Sequence, residues 1–126
     1  MGTMISGWDP NIGYSIYYVD SEGSCIAGDV FCVGSGGSLA YAVLDGAFKE
    51  LDNHSSFSSA TSKRKLGIEA ATNLAARAIR YAMHRDSYSG GYINVFHINE
   101  TGIHHVFRND SRQIAVGSID SDTVMT

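Results

Sequence analysis

Proline is nearly missing from this chain. Pro10 stands alone among 126 residues, while glycine is plentiful at 14. That balance leaves no proline-rich linker and suits tight connections between strands. Cysteine is almost as scarce, with only Cys25 and Cys32, so one disulfide is the most the chain can hold. No signal peptide precedes them, so reduced thiols in the cytosol or nucleus are expected. No apolar run approaches the ~18 residues that a membrane helix needs, and no membrane partner is expected. Positive charge is short too: nine Lys and Arg against 13 Asp and Glu give a net charge of -4. The basic residues are scattered apart from Lys63-Arg64-Lys65 and form no stripe, which argues against a nucleic-acid partner. What is present is an ordinary globular mixture, 44% hydrophobic and 17% charged. Such a length and composition suit one domain with one core.

The first third reads as strands and turns. TMISGW alternates loosely, Pro10 and Gly13 break it, and SIYYV follows with β-branched and aromatic residues. Asp20-Ser21-Glu22-Gly23 marks a turn, and CIAGDVFCV predicts a third strand with Gly28 as a bulge. Residues 3–33 therefore predict a three-stranded meander. Gly34-Ser35-Gly36-Gly37 punctuates the next change, and Ser38 is placed to cap a helix through LAYAVLDGAF. NHSSFSSATSKRK has no periodicity and predicts an exposed loop, spanning about 51–66 and including His54. Its Lys63–Lys65 run reads as a solvated loop ahead of a nuclear-localisation signal.

Residues 67–85 predict the clearest helix. Ile68, Ala71, Ala75, Ala78, Ile79 and Ala82 recur at spacings of three and four. So many alanines predict close packing on another helix. Arg77, Arg80 and Arg85 lie toward the C-terminal half, where the helix dipole favours cations. Gly90-Gly91 ends the unit, YINVFHI predicts a strand, NETG a turn and IHHVF its hairpin partner. Residues 113–126 carry little pattern and read as a loosely ordered tail.

Three groups are candidates for chemistry. Backbone N–H groups of the GSGG turn can hold an anion, yet no Lys-Ser/Thr follows as a phosphate loop requires, so a tight structural turn is the default. The five histidines form no ligand set, and His104 and His105, adjacent on a strand, point to opposite faces. No metal and no cofactor are expected. The glycosylation-type triplets at Asn53, Asn99 and Asn109 read as chance matches. RDSYSGG places Asp86, Ser89 and two glycines together. Taken alone it either ends a helix or contributes a carboxylate and a hydroxyl to a site.

Taken together, GTMISGWD, YYVDSEG, FCVGSGGSLAYAVLDGAF, the LAARAI helix and RDSYSGG fall in a characteristic order. They resemble the C-terminal half of a eukaryotic proteasome beta subunit, of the beta type-5 (chymotrypsin-like) class. The match covers residues 1 to about 108 apart from the loop, so residues 1–112 are expected to be the C-terminal part of one such domain. The resemblance implies an α+β fold: the four-layer αββα sandwich of the N-terminal nucleophile hydrolases, here incomplete, with its N-terminal strands missing. It implies threonine-type endopeptidase activity after large hydrophobic residues. There an N-terminal threonine hydroxyl attacks the peptide carbonyl and its own α-amine acts as base.

The supporting shell of that chemistry carries over as Ser35, Asp86 and Ser89. The family's Gly-Ser-Gly-Ser form departs at its fourth position, Gly37. The catalytic threonine, its aspartate and its lysine belong to strands that precede GTMISGWD, so this chain alone is expected to be inactive. Gly2-Thr3 imitates the family's Gly-Thr processing junction, but GTMISGWD matches an internal strand and no lysine follows Thr3 until Lys49. Thr3 is therefore not expected to be the nucleophile. Implied partners are other proteasome alpha and beta subunits and, in the full assembly, unfolded polypeptide substrate, in cytoplasm and nucleus. The alternative is a truncated, non-catalytic module that binds neighbouring proteasome subunits.

Overall fold

The computed structural model describes residues 2–54 and 66–110. Most of the serine-rich loop and the expected tail at 113–126 lie outside them. Three strands open the fold, β1 (Thr3–Asp9), β2 (Gly13–Val19) and β3 (Cys25–Gly28), as an antiparallel sheet in the order β1-β2-β3. Aspartates shape both connections. The Asp9 carboxylate accepts the N–H groups of Asn11 (2.8 Å) and Ile12 (3.1 Å). Asp20 accepts those of Glu22 and Ser24, each at 2.9 Å. Such side-chain turns fix the register, which sets Thr3 opposite Val19 and Val19 opposite Cys25.

The third strand is shorter than expected. It ends at Gly28 instead of bulging there and continuing to Val33. The Phe31 ring folds back onto the position a Gly28 Cβ would take, 2.7 Å away, and stacks on Tyr18 with centroids 5.9 Å apart. That ring contact turns residues 29–36 away from the sheet toward the first helix.

Helix α1 (Gly37–His54) starts one residue before Ser38, so Ser38 is not its cap. The Gly36 carbonyl accepts the Ala40 N–H at 3.1 Å, and Ser38 is exposed in the first turn. The helix also runs farther than expected. Leu51–His54 are helical, so the loop predicted from Leu51 does not begin there. Helix α2 (Ile68–Arg85) packs on α1 through Ala78 and Ala82 against Ala40, with Leu39, Val43 and Leu44 at the margin. Small side chains let the two backbones approach. The apolar face is narrower than its spacing predicts: Ile68 is 58% exposed and Ile79 43%.

The chain closes with a hairpin, β4 (Tyr92–Asn99) and β5 (Gly102–Asp110). Glu100-Thr101 forms the loop between them, and Gly102 takes a φ of +127°. Val95 opposes Phe107 while Phe96 opposes His105, so Val106 is an extra residue that bulges β5. Helix α2 lies on β4, where Ile93 is only 1% exposed, and β1 also touches β4. The architecture is α+β, with a helix pair and two antiparallel sheets.

Candidate functional site

Ser35, Asp86 and Ser89 meet where the start of α1 passes the end of α2. Both hydroxyls donate to the same carboxylate oxygen, Asp86 Oδ2, each at 2.6 Å. The Tyr88 N–H reaches Oδ1 at 3.3 Å. Asp86 itself closes α2, its N–H donating to the Ala82 carbonyl at 2.8 Å, and its own carbonyl accepts the Ser89 N–H at 3.2 Å. The Asp-Ser-Tyr-Ser turn thus holds Ser89 against Asp86 locally. Ser35 arrives from 51 residues away.

The glycines explain how it arrives. Gly34 has a φ of +114°, a conformation that a side chain disfavours. Gly36 lies so close to α2 that a Cβ there would sit 3.0 Å from Ser89 Oγ, 3.1 Å from the Ala82 Cβ and 3.2 Å from Asp86 Oδ2. A bare backbone at Gly36 lets the Ser35 hydroxyl reach the carboxylate without displacing these neighbours. The turn is tight, as its sequence suggests, with the Gly37 N–H on the Gly34 carbonyl at 3.1 Å. The anion beside it is the chain's own Asp86. No acidic residue occupies the first turn of α1, so Asp86 places a negative charge at the positive end of that helix dipole.

Hydrogen bonds from Ser35 first and Ser89 second hold the Asp86 carboxyl below its usual range, with a smaller contribution from the Tyr88 N–H against some desolvation. The group is therefore an anion at neutral pH and a poor general base. It consumes both serine protons, so the two hydroxyl oxygens can only accept further bonds. The cluster is an acceptor site for an N–H donor such as an amine, or for a water. Among the described residues no group of three His, Cys, Asp or Glu is placed to hold a metal. A cavity of about 420 Å³ borders the same turn, lined by Tyr18, Phe31, Cys32, Gly34 and Tyr41. Burial first, and Asp45 second, push the Cys32 thiol up, which makes it a weak nucleophile. Neither Cys25 nor Cys32 is in a disulfide.

Residues 1–98 match the family of proteasome subunits. The chain belongs to the proteasome subunit family. It is 42% identical to human proteasome subunit beta type-8 over 102 residues, which is 81% of this chain and 32% of that protein. It is 44% identical to beta type-5 of Gallus gallus over 110 residues, 87% of this chain and 37% of that protein. Against beta type-5 of Dictyostelium discoideum the identity is 42% over 110 residues, 87% of this chain and 35% of that protein. This proteasome chain spans about a third of the length of the curated relatives it matches.

Sequence reasoning named the three side chains but missed what surrounds them. The Tyr88 N–H, the steric role of Gly36 and the Ala82 floor escaped it. An aspartate two residues before a donated N–H was a local signal for the first. The other two depend on how α1 lies against α2. Thr3 heads β1 opposite Val19, and none of the hydrogen bonds to Asp86 comes from it.

Proposed function

We propose that this chain is part of a beta type-5-like proteasome subunit and that its Ser35–Asp86–Ser89 cluster positions the amine of an N-terminal threonine nucleophile. The observation that supports this most is the spent hydrogen-bond capacity of the two serines: both protons go to Asp86 Oδ2 at 2.6 Å. The oxygens left over suit an α-amine, and the carboxylate behind them favours its N–H groups pointing inward. The threonine hydroxyl would attack the peptide carbonyl of unfolded polypeptide after a large hydrophobic residue. The amine would take the hydroxyl proton and deliver it to the leaving nitrogen. Asp86 orients and balances charge and exchanges no proton. The nucleophile, its aspartate and its lysine are not supplied by residues 1–126, so the isolated chain is inactive. The complete fold is the four-layer αββα sandwich, of which the helix pair is one layer and the two sheets are parts of the inner two. The setting is the core particle, among other alpha and beta subunits, in cytoplasm and nucleus.

A non-catalytic assembly module is the second reading. One experiment separates the two. The gene product that carries these residues is tagged in cells, recovered with its associated subunits and assayed on a fluorogenic peptide with a large apolar residue before the cut. Under the first reading Asp86→Asn lowers that hydrolysis by about tenfold or more, the scale of a lost orienting group. Under the second the particle assembles and its hydrolysis is indifferent to Asp86→Asn. Recovery of the tagged chain free of proteasome subunits overturns both.

A further inference from the structure

Sequence adjacency pairs His104 with His105, but the sheet register pairs His104 with His97. The two are directly opposed across β4 and β5, so their side chains leave the same face. Their ring centroids are 6.5 Å apart at an interplanar angle of 37°. His105 leaves the other face and stacks on Phe96 at 4.7 Å.

The hairpin loop fixes the proton on His104. Asn99 Oδ1 accepts the Thr101 N–H at 2.9 Å, which orients the amide. It also accepts the Thr101 hydroxyl at 2.6 Å, which spends that proton. His104 Nε2 lies 2.8 Å from Thr101 Oγ1 and 3.2 Å from Asn99 Oδ1. Facing two groups that have only lone pairs left to offer, Nε2 must carry the hydrogen. The neutral ring then has its lone pair on Nδ1. A histidine whose second nitrogen donates to a side-chain oxygen is the arrangement found around metal-bound imidazoles, where that bond sets the tautomer and orients the ring.

We infer that His97 and His104 form a two-histidine site for a divalent transition ion of the zinc, nickel or copper class, with water filling the other positions. Imidazole suits these ions. Metal–nitrogen bonds of about 2.0–2.1 Å at a tetrahedral angle place two ligating ring centres roughly 5 Å apart, so the two rings must swing together by about 1–1.5 Å from the observed 6.5 Å, a movement that side-chain rotation supplies. No third His, Cys, Asp or Glu joins the pair among the described residues. The site is therefore an open one, loaded from solution and distinct from the Ser35–Asp86–Ser89 cluster.

The test is a titration of the full 126-residue chain with Zn²⁺ against a chromophoric chelator. His97→Ala and His104→Ala should each weaken binding by about tenfold or more, and Thr101→Val, which keeps both ligands but removes the acceptor that orients His104, by a similar order. His84→Ala and His105→Ala should change nothing. The urea-unfolded chain has every ligand and no register, and should bind at least tenfold more weakly than the chain in buffer. The inference is overturned if His97→Ala and His104→Ala bind as the parent does. It is equally overturned if all histidine variants lose affinity alike, or if unfolding leaves affinity unchanged.

Discussion

The helix pair and the β1-β2-β3 sheet handle their apolar residues differently. Between α1 and α2, Ala40, Ala78 and Ala82 are all at most 5% exposed, and α2 also covers Ile93 of β4. On the sheet, Met4 is 48% exposed, Ile5 56%, Ile26 53% and Tyr14 68%. The helix pair buries its contact within these residues, whereas the sheet presents apolar side chains and, at β1, a strand edge with no charge from Thr3 to Trp8. Unblunted edges of this kind invite pairing. The Ser35–Asp86–Ser89 cluster belongs to the first region, since every group that shapes it sits on the helix pair or its flanking turns. The candidate site is therefore built where the packing is self-sufficient.

The sharpest way to break this contrast is Ala82→Leu. Overpacking at a site with no room costs about 1–3 kcal/mol and separates the turn from α2. Amide hydrogen exchange should show protection falling across α1 and α2 together, while the already weaker protection of β1 and β3 changes little. Equal protection of both regions in the parent chain would contradict the comparison.

Next in size is Gly36→Ala, which needs the Ser89 hydroxyl, the Ala82 methyl or the Asp86 carboxylate to give way. The Ser35 hydroxyl should leave Asp86, and the Asp86 carboxyl titration, followed by its carbon chemical shift, should move upward. Ser35→Ala should raise the same titration without the steric cost, and by more than Ser89→Ala, since the Ser35 bond contributes more. The sign for stability follows. A carboxyl held below its ordinary value near 3.8 stabilises the fold fully above that pH. The contribution is lost as pH falls through the lower folded value. Ser35→Ala should shift the acid loss of helix signal to higher pH, and an unchanged acid profile would remove Asp86 from the account.

The smallest effect belongs to the sheet. Ile5→Lys should change stability by no more than about 0.5 kcal/mol, as for an exposed residue, yet raise the soluble fraction by charging the edge. The parent chain is expected to be poorly soluble because that edge is uncharged, and a parent chain that stays monomeric wherever Ile5→Lys does would overturn that.

Much of this was legible in the sequence because it is local. The strand order, the two helices and the hairpin follow from periodicity and turn residues, and Ser35, Asp86 and Ser89 were named from their motifs. The misses are long-range. Nothing near Gly28 announces that Phe31 will fold back on it and stop the strand. Nothing near Ser38 shows that Gly37 already begins the helix. Ile79 fits the α2 stripe by spacing, yet it is 43% exposed while Ala78 and Ala82 are buried against α1. His97 and His104 are seven positions apart in the chain and meet only through the register.

The most direct test of the central claim is the peptide hydrolysis of particles that contain the tagged gene product carrying these residues, with Asp86 as parent and as Asn. The account predicts equal recovery of both and a loss of hydrolysis of about tenfold or more with asparagine. Equal hydrolysis by equally assembled particles would contradict it.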